Sequence, residues 1–202
     1  MSIRLLLADD QALVRGALAA LLDLERDMQV VAEVGRGDEV VAAARTHEAQ
    51  VCLLDIEMPG CSGIDAAREV SQQLPGVRSI IVTTFGRPGY LRAAIDAGAT
   101  GFVVKDTPAR ELAEAVRRVH QGLRVVDPTL ATASLLGGPN PLTGRERDVL
   151  RAALSGAPVA AISAQVHLSP GTVRNYLSSA IRKTDTATRV EAARTAQDNG
   201  WL

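Results

Sequence analysis

Val51-Cys52-Leu53-Leu54-Asp55-Ile56-Glu57-Met58-Pro59-Gly60 is the stretch whose reading decides the fold. Four apolar residues in a row, closed by an acid and then by a Pro-Gly turn, describe a strand that is buried on both faces. Such a strand belongs in a parallel sheet covered by helices above and below, and similar runs recur on either side of it. Upstream lie Ile3-Arg4-Leu5-Leu6-Leu7-Ala8 and Met28 to Val34; downstream lie Ser79-Ile80-Ile81-Val82-Thr83 and Gly101-Phe102-Val103-Val104. Between them, Ala12 to Leu24, Asp38 to Thr46, Ile64 to Leu74, Gly89 to Ala97 and Pro108 to Val119 carry apolar residues at helical spacing. Five strands alternating with five helices predict a five-stranded, parallel, doubly wound α/β domain over residues 1–122. Gly98 and Gly122 are suitable helix stops, and Pro108 a suitable start.

Beyond Gly122 the alternation ends. Residues 123–140 read as a linker, in which Asp127-Pro128 could open one short helix over Thr129 to Leu135 and Gly137-Gly138-Pro139-Asn140-Pro141 is coil by composition. From 141 to 202 only helical patterns remain, predicting an all-α, four-helix domain. Thr143-Gly144-Arg145-Glu146 has the capping-box form and opens a helix that stops at Gly156. Pro158 to Val166 is a second, short helix, and Ser169-Pro170 supplies an N-cap and an N1 proline for a third through Ile181. A second capping box, Thr188-Arg189-Val190-Glu191, opens the last helix, to about Asp198. Two helices joined by a tight turn, the second well capped, are what a helix-turn-helix requires.

Composition narrows the class. With 47% hydrophobic and only 2% aromatic residues, the cores must be built from Leu, Val, Ile and Ala. Cys52 and Cys61 cannot make a disulfide framework, which points to a reducing compartment. The first apolar run stops at Asp9-Asp10, and no run approaches the ~20 residues of a membrane span. A cytoplasmic protein with no membrane partner is expected. The net charge of −1 conceals an asymmetry: residues 1–122 hold 13 Lys+Arg against 17 Asp+Glu, and residues 141–202 hold 8 against 5. An acidic half joined to a basic half suggests a metal- or cation-handling domain beside a polyanion-binding one. His47, His120 and His167 are scattered without metal-ligand spacing.

In an open parallel sheet, ligands gather beyond the carboxyl ends of the strands. Here the first strand ends in Asp9-Asp10, the third in Asp55, the fourth in Thr83-Thr84 and the fifth in Lys105. Clustered carboxylates repel unless a cation sits among them, and Mg2+ takes one or two carboxylates with waters and phosphate oxygens. An ionised carboxylate is itself a nucleophile that can form an acyl phosphate, and a lysine and a hydroxyl opposite it would stabilise phosphoryl oxygens. A lone aspartate after a strand is an ordinary turn former. It is the joint occurrence at four strand ends that points to phosphoryl chemistry.

Ala8-Asp9-Asp10, Leu54-Asp55-Ile56-Glu57-Met58-Pro59-Gly60, Val82-Thr83-Thr84, Ala97-Gly98-Ala99 and Gly101-Phe102-Val103-Val104-Lys105-Asp106 together resemble the receiver domain of two-component response regulators. The resemblance implies a flavodoxin-like fold and a sensor histidine kinase as donor. It implies that Asp55 accepts the phosphoryl group and that Asp9, Asp10, Asp55 and the Glu57 backbone carbonyl hold Mg2+. Thr83 and Lys105 would bind the phosphoryl oxygens, and Phe102 would take the place of the switching aromatic. Two departures stand out: Asp106 follows the lysine where a proline is frequent, and Phe102 lacks the hydroxyl of the usual tyrosine.

The second domain is similar to the LuxR-type helix-turn-helix of the NarL/FixJ family. The matching residues include Leu142-Thr143, Arg145-Glu146-Arg147, Gly156, Leu168-Ser169, Thr172-Val173-Arg174 and Lys183. By that resemblance the helix opened by Ser169-Pro170 enters the major groove of double-stranded DNA. Thr172, Arg174, Asn175 and Ser178 would face the groove, and Arg182 and Lys183 would contact phosphates. Val173, Leu177 and Ile181 read instead as core. Val190, Ala193 and Ala196 would give the last helix an apolar face for a homodimer formed on phosphorylation. The whole reads as a phosphorylation-controlled DNA-binding transcription factor. It is not read as an enzyme: an aspartate-nucleophile phosphatase would carry its nucleophile after the first strand rather than the third.

Overall fold

The computed structural model describes residues 2–84, 88–127, 131 and 140–202. Of the short helix expected over Thr129 to Leu135, only Ala131 lies among the described residues, and Gly137, Gly138 and Pro139 lie outside them. The chain divides into two compact units, one α/β and one helical. Among the described residues no helix is long and apolar enough to cross a membrane.

In the α/β unit, β1 (Ile3–Ala8), β2 (Met28–Val34), β3 (Val51–Asp55), β4 (Arg78–Thr83), β5 (Gly101–Val104) and β6 (Val125–Val126) form one parallel sheet. Their order is β2-β1-β3-β4-β5-β6. The helices of this unit are α1 (Ala12–Asp23), α2 (Val40–Thr46), α3 (Gly63–Gln73), α4 (Pro88–Asp96, in this unit from Leu91 onward) and α5 (Ala109–His120). Period-2 alternation divides the strand residues between the two faces. Leu5, Leu7, Leu53, Ile80 and Val82 share one core with Leu22 of α1 and with Leu112, Val116 and Val119 of α5. Leu6, Leu54, Ile81 and Phe102 are fully buried on the opposite face, the side taken by α2 and α3. Each such side chain contributes about 1.5–3 kcal/mol by leaving water.

Among the described residues the sheet has six strands where the sequence predicts five. The sixth, Val125-Val126, lies within the stretch read as linker, because two residues are too few to display a period. It forms because the outer edge of β5 offers free backbone groups: Val125 N donates to the Thr100 carbonyl (3.0 Å) and Asp127 N to the Phe102 carbonyl (3.2 Å). The sheet therefore reaches beyond Gly122.

The helical unit contains α6 (Gly144–Ala153), α7 (Val159–Val166), α8 (Pro170–Lys183) and α9 (Arg189–Asp198). Both capping boxes form, Thr143 with Glu146 and Thr188 with Glu191. Ser169 caps α8 by accepting from Thr172 N at 3.1 Å, with Pro170 in the first turn. The turn between α7 and α8 passes through His167 at φ 54°, and across it the Ser163 hydroxyl donates to the Leu168 carbonyl. The core holds Val149, Leu150, Ile162, Val173, Leu177 and Ala180, with Ala192, Ala193 and Ala196 of α9.

That last set corrects a sequence reading. Ala193 and Ala196 are 0% exposed, so they build the unit's own core and offer no surface to a second copy. Val190, the third residue of the expected face, is only half-buried, so the structure removes two of the three.

Candidate functional site

β1 has β2 on one side and β3 on the other, so the strand order reverses between β1 and β3, and a crevice opens at their carboxyl ends. Asp9 follows β1 and Asp55 ends β3, which sets their side chains beside each other. Asp9, Asp10 and Asp55 each offer a carboxylate oxygen, all within 4.8 Å of one another. Asp9 and Asp55 are buried, at 3% and 6% exposure, and Asp10 faces solvent. Lys105, one residue past β5, puts its Nζ 2.7 Å from Asp9 Oδ2 and 3.1 Å from Asp55 Oδ2. The remaining carboxylate oxygens are held locally: Gln11 N donates to Asp9 Oδ1 and Ile56 N to Asp55 Oδ1, both at 2.9 Å.

The electrostatics follow from this crowding. Burial pushes the Asp55 carboxyl above its ordinary range; the Lys105 ammonium pulls it down, and the like charge of Asp9 adds to the rise. Burial alone would lower Lys105, yet its bonds to Asp9 and Asp55 outweigh that and hold it above the usual lysine value. Both directions hold together because the lysine answers to two carboxylates, whereas Asp55 has one cation and one like charge beside it. Three converging carboxylates, one of them open to solvent, suit a hard divalent cation with waters in its remaining positions.

Neighbouring residues fix the geometry. Gly63 begins α3 against the Asp55 backbone, where a Cβ would stand 1.9 Å from the Asp55 carbonyl oxygen. Only glycine permits that approach. Thr83 ends β4, buried, and its carbonyl accepts from Lys105 N at 2.7 Å, tying together the two strand ends that carry the expected phosphoryl ligands. Phe102 is 1% exposed on β5 and borders a groove with Leu91, Ala94, Ile95 and Val126. Glu57 is exposed in the loop after β3.

In the helical unit the expected contacts do not all share one face. Successive residues turn by about 100°, so Arg174, Asn175, Ser178 and Arg182 fall within an arc of roughly 100° on α8. All four are exposed. Thr172 and Lys183 lie roughly 160–180° from Arg174 by the same geometry. The Thr172 hydroxyl is engaged with Ser169 Oγ at 2.8 Å, and Lys183 Nζ with Glu146 Oε2 at 2.7 Å. The structure thus gathers four of the six residues and turns the other two toward the domain's own capping.

Sequence reasoning missed two participants. Arg15 of α1 donates through Nη1 to the Asp9 carbonyl at 2.5 Å, and Glu146 collects Lys183 besides its own cap. A single arginine on an amphipathic helix carries no signal for the first. The second was half visible, since the capping box marks Glu146 but not its distant partner.

Residues 5–117 match the family described as response regulator receiver domain, and residues 140–196 the family of bacterial regulatory proteins called the luxR family. The uncharacterized transcriptional regulatory protein YvfU of Bacillus subtilis is 44% identical over 200 residues, covering 99% of this chain and 100% of its own. The transcriptional regulatory protein DesR of the same organism is 41% identical over 200 residues, covering 99% of each. The crystal structure of the response regulator ChrA of a heme-sensing two-component system is similar with a TM-score of 0.60 at 30% identity, covering 100% of this chain and 99% of that one.

Proposed function

The chain belongs to the response regulators that join a receiver domain to a luxR-family DNA-binding domain, and from that premise we propose that phosphorylation of Asp55 controls DNA binding by the helical unit. The observation that carries this reading is the placement of Asp55: buried at the switch in strand order, 3.1 Å from Lys105 and within 4.8 Å of two further carboxylates. The protein is a transcriptional regulator, and the only chemistry proposed for it is gain and loss of its own phosphoryl group.

The donor is the phosphohistidine of a sensor kinase. An Asp55 carboxylate oxygen attacks phosphorus, the P–N bond breaks, and its electron pair stays on the departing imidazole nitrogen. Asp9, Asp10, Asp55 and the Glu57 carbonyl would hold Mg2+, which when bound neutralises charge on the phosphoryl oxygens. Lys105 supplies the fixed positive charge opposite them, and Thr83 the hydroxyl. As Thr83 is drawn toward the phosphoryl group, Phe102 follows, and the population shifts toward a form whose surface pairs with a second copy. Two helical units in one homodimer then bind two DNA half-sites with gained avidity. On each, Arg174, Asn175 and Ser178 face base edges, and Arg182 meets a phosphate. A kinase donor and a DNA target set this work in the cytoplasm.

Incubation with acetyl phosphate and Mg2+ should add one phosphoryl group per chain, read by intact mass, and Asp55→Ala should abolish it. Undiminished labelling of that variant would remove Asp55 from the role.

A further inference from the structure

We propose that Arg15 is a positioning residue for the cation-binding side of this site, acting through the peptide that joins Asp9 to Asp10. The inference rests on the reading of Asp55 as phosphoryl acceptor and adds a residue to it. Arg15 lies in the first turn of α1, its own N bonded to the Gln11 carbonyl at 2.9 Å. Its Nη1 is 2.5 Å from the Asp9 carbonyl oxygen, and its Nε is 3.4 Å from Glu33 Oε2 on β2. The side chain is 20% exposed and borders, with Asp9, Asp55, Leu53 and Val82, a small cavity at the strand ends.

Asp9 is thereby held at four points: N to the Val34 carbonyl (3.2 Å), carbonyl to Arg15 (2.5 Å), Oδ1 to Gln11 N (2.9 Å) and Oδ2 to Lys105 (2.7 Å). The Arg15 bond is the one that bears on Asp10. The Asp9 carbonyl belongs to the same planar peptide as the Asp10 N–H, so pinning that oxygen fixes the plane from which the Asp10 side chain departs. Asp10 is exposed and next along the chain, and its approach to Asp55 is set by this backbone orientation.

Two effects of the guanidinium oppose each other. Its charge beside three carboxylates would weaken cation binding, whereas its hydrogen bond orients two of the ligands and would strengthen it. Glu33 partly neutralises the charge, so orientation prevails. Groups that orient metal ligands from behind typically change affinity by tenfold or more.

The test is Mn2+ binding to the full chain, read by electron paramagnetic resonance, alongside a metal-free thermal melt. Arg15→Met should weaken Mn2+ binding by about tenfold, while labelling of Asp55 by acetyl phosphate at saturating Mn2+ returns to near the wild-type extent. Arg15→Lys should recover part of the affinity, and Glu33→Gln, which loosens the guanidinium, should lose a few-fold. If Arg15→Met does not fold, Arg15→Lys carries the test: it keeps the charge but displaces the hydrogen bond to the Asp9 carbonyl, so weaker Mn2+ binding than wild type supports the inference and unchanged binding overturns it. Unchanged Mn2+ affinity with a lowered melt would make Arg15 a mere tie between α1 and β2, and tighter binding would mean that its charge governs; either overturns the inference. A wild-type chain that bound no Mn2+, or an Asp55→Ala variant that still labelled, would instead be a failure of the functional reading, seen before any Arg15 variant is compared.

Discussion

Lys105 supplies the positive charge that two buried carboxylates need in the absence of a metal ion. Its ammonium lies 2.7 and 3.1 Å from two buried carboxylates, so the metal-free protein is not left with Asp9 and Asp55 facing each other unscreened. Replacing it by an apolar chain breaks a buried ion pair, which typically costs 3–5 kcal/mol. Asp55 is already pushed toward its protonated form by burial, and taking up a proton would relieve part of that cost. Lys105→Met should therefore destabilise the protein by about 2–4 kcal/mol in urea unfolding with EDTA present. Mg2+ should narrow the gap, because a cation that binds only the folded state stabilises it. Equal stabilities in EDTA would mean that water already screens the two carboxylates. At this scale the sequence was most legible where an apolar run stopped: Asp9, Asp10, Asp55, Thr83 and Lys105 could be read because each sits at a strand end. Arg15 and the Glu146–Lys183 pair could not, since such contacts depend on tertiary packing and, for the pair, span 37 residues.

Helix starts matter as much as strand ends. α3 begins at Gly63 against the Asp55 carbonyl, so Gly63→Ala must displace either the helix or the acceptor's backbone. Overpacking of this kind costs about 1–3 kcal/mol. The variant should unfold at lower urea and label more slowly with acetyl phosphate at saturating Mg2+; a normal labelling rate would show that the helix, not Asp55, gives way. On α8 the exposed arc separates two kinds of contact. Arg174→Ala should cost about 1–3 kcal/mol on the specific site and little on random DNA. Arg182→Ala should weaken both alike and lower the slope of log affinity against log salt by about one. Anisotropy titrations at several salt concentrations distinguish them, and equal loss on all DNA for Arg174→Ala would make it a phosphate contact. Elements were legible where capping chemistry announces them, as at Thr143, Ser169 and Thr188. Val125-Val126 was not, because its strand exists only by virtue of the β5 edge. The apolar residues of α9 were visible, but not which way they point: a pattern marks a buried face without saying whether the same chain or a second copy buries it.

Across the molecule, the two units carry buried acids with opposite titration behaviour. Glu146 is 3% exposed, and burial would push its carboxyl up. Bonds from Lys183, Thr143 and Ser179 outweigh this and hold it at about 2, against an ordinary value of 4.5. A carboxyl whose folded pKa is depressed contributes stability that is present above the unfolded value and is lost as pH falls through the folded one. The window is therefore pH 4.5 down to about 2, and the contribution is about 3 kcal/mol. Asp55 in the α/β unit is raised instead, so acid relieves its penalty and its contribution to stability grows as pH falls. Asp27, half-exposed, and Asp38, exposed, are lowered by Arg117 and Arg36, and water reaching both screens the effect. The helical unit should thus be the acid-sensitive one. Trp201, the chain's one tryptophan, reports on it directly: it packs on that unit's core, and its N donates to the Ala196 carbonyl at 2.7 Å. The urea midpoint followed by Trp201 fluorescence should fall steeply between pH 4.5 and 2.5, within the Glu146 window. Glu146→Gln keeps a carbonyl oxygen to cap α6 but not the charge that holds Lys183, so it should lower the midpoint at pH 7 and flatten its acid dependence. Parallel acid profiles for the variant and the wild type would assign the sensitivity to another carboxylate.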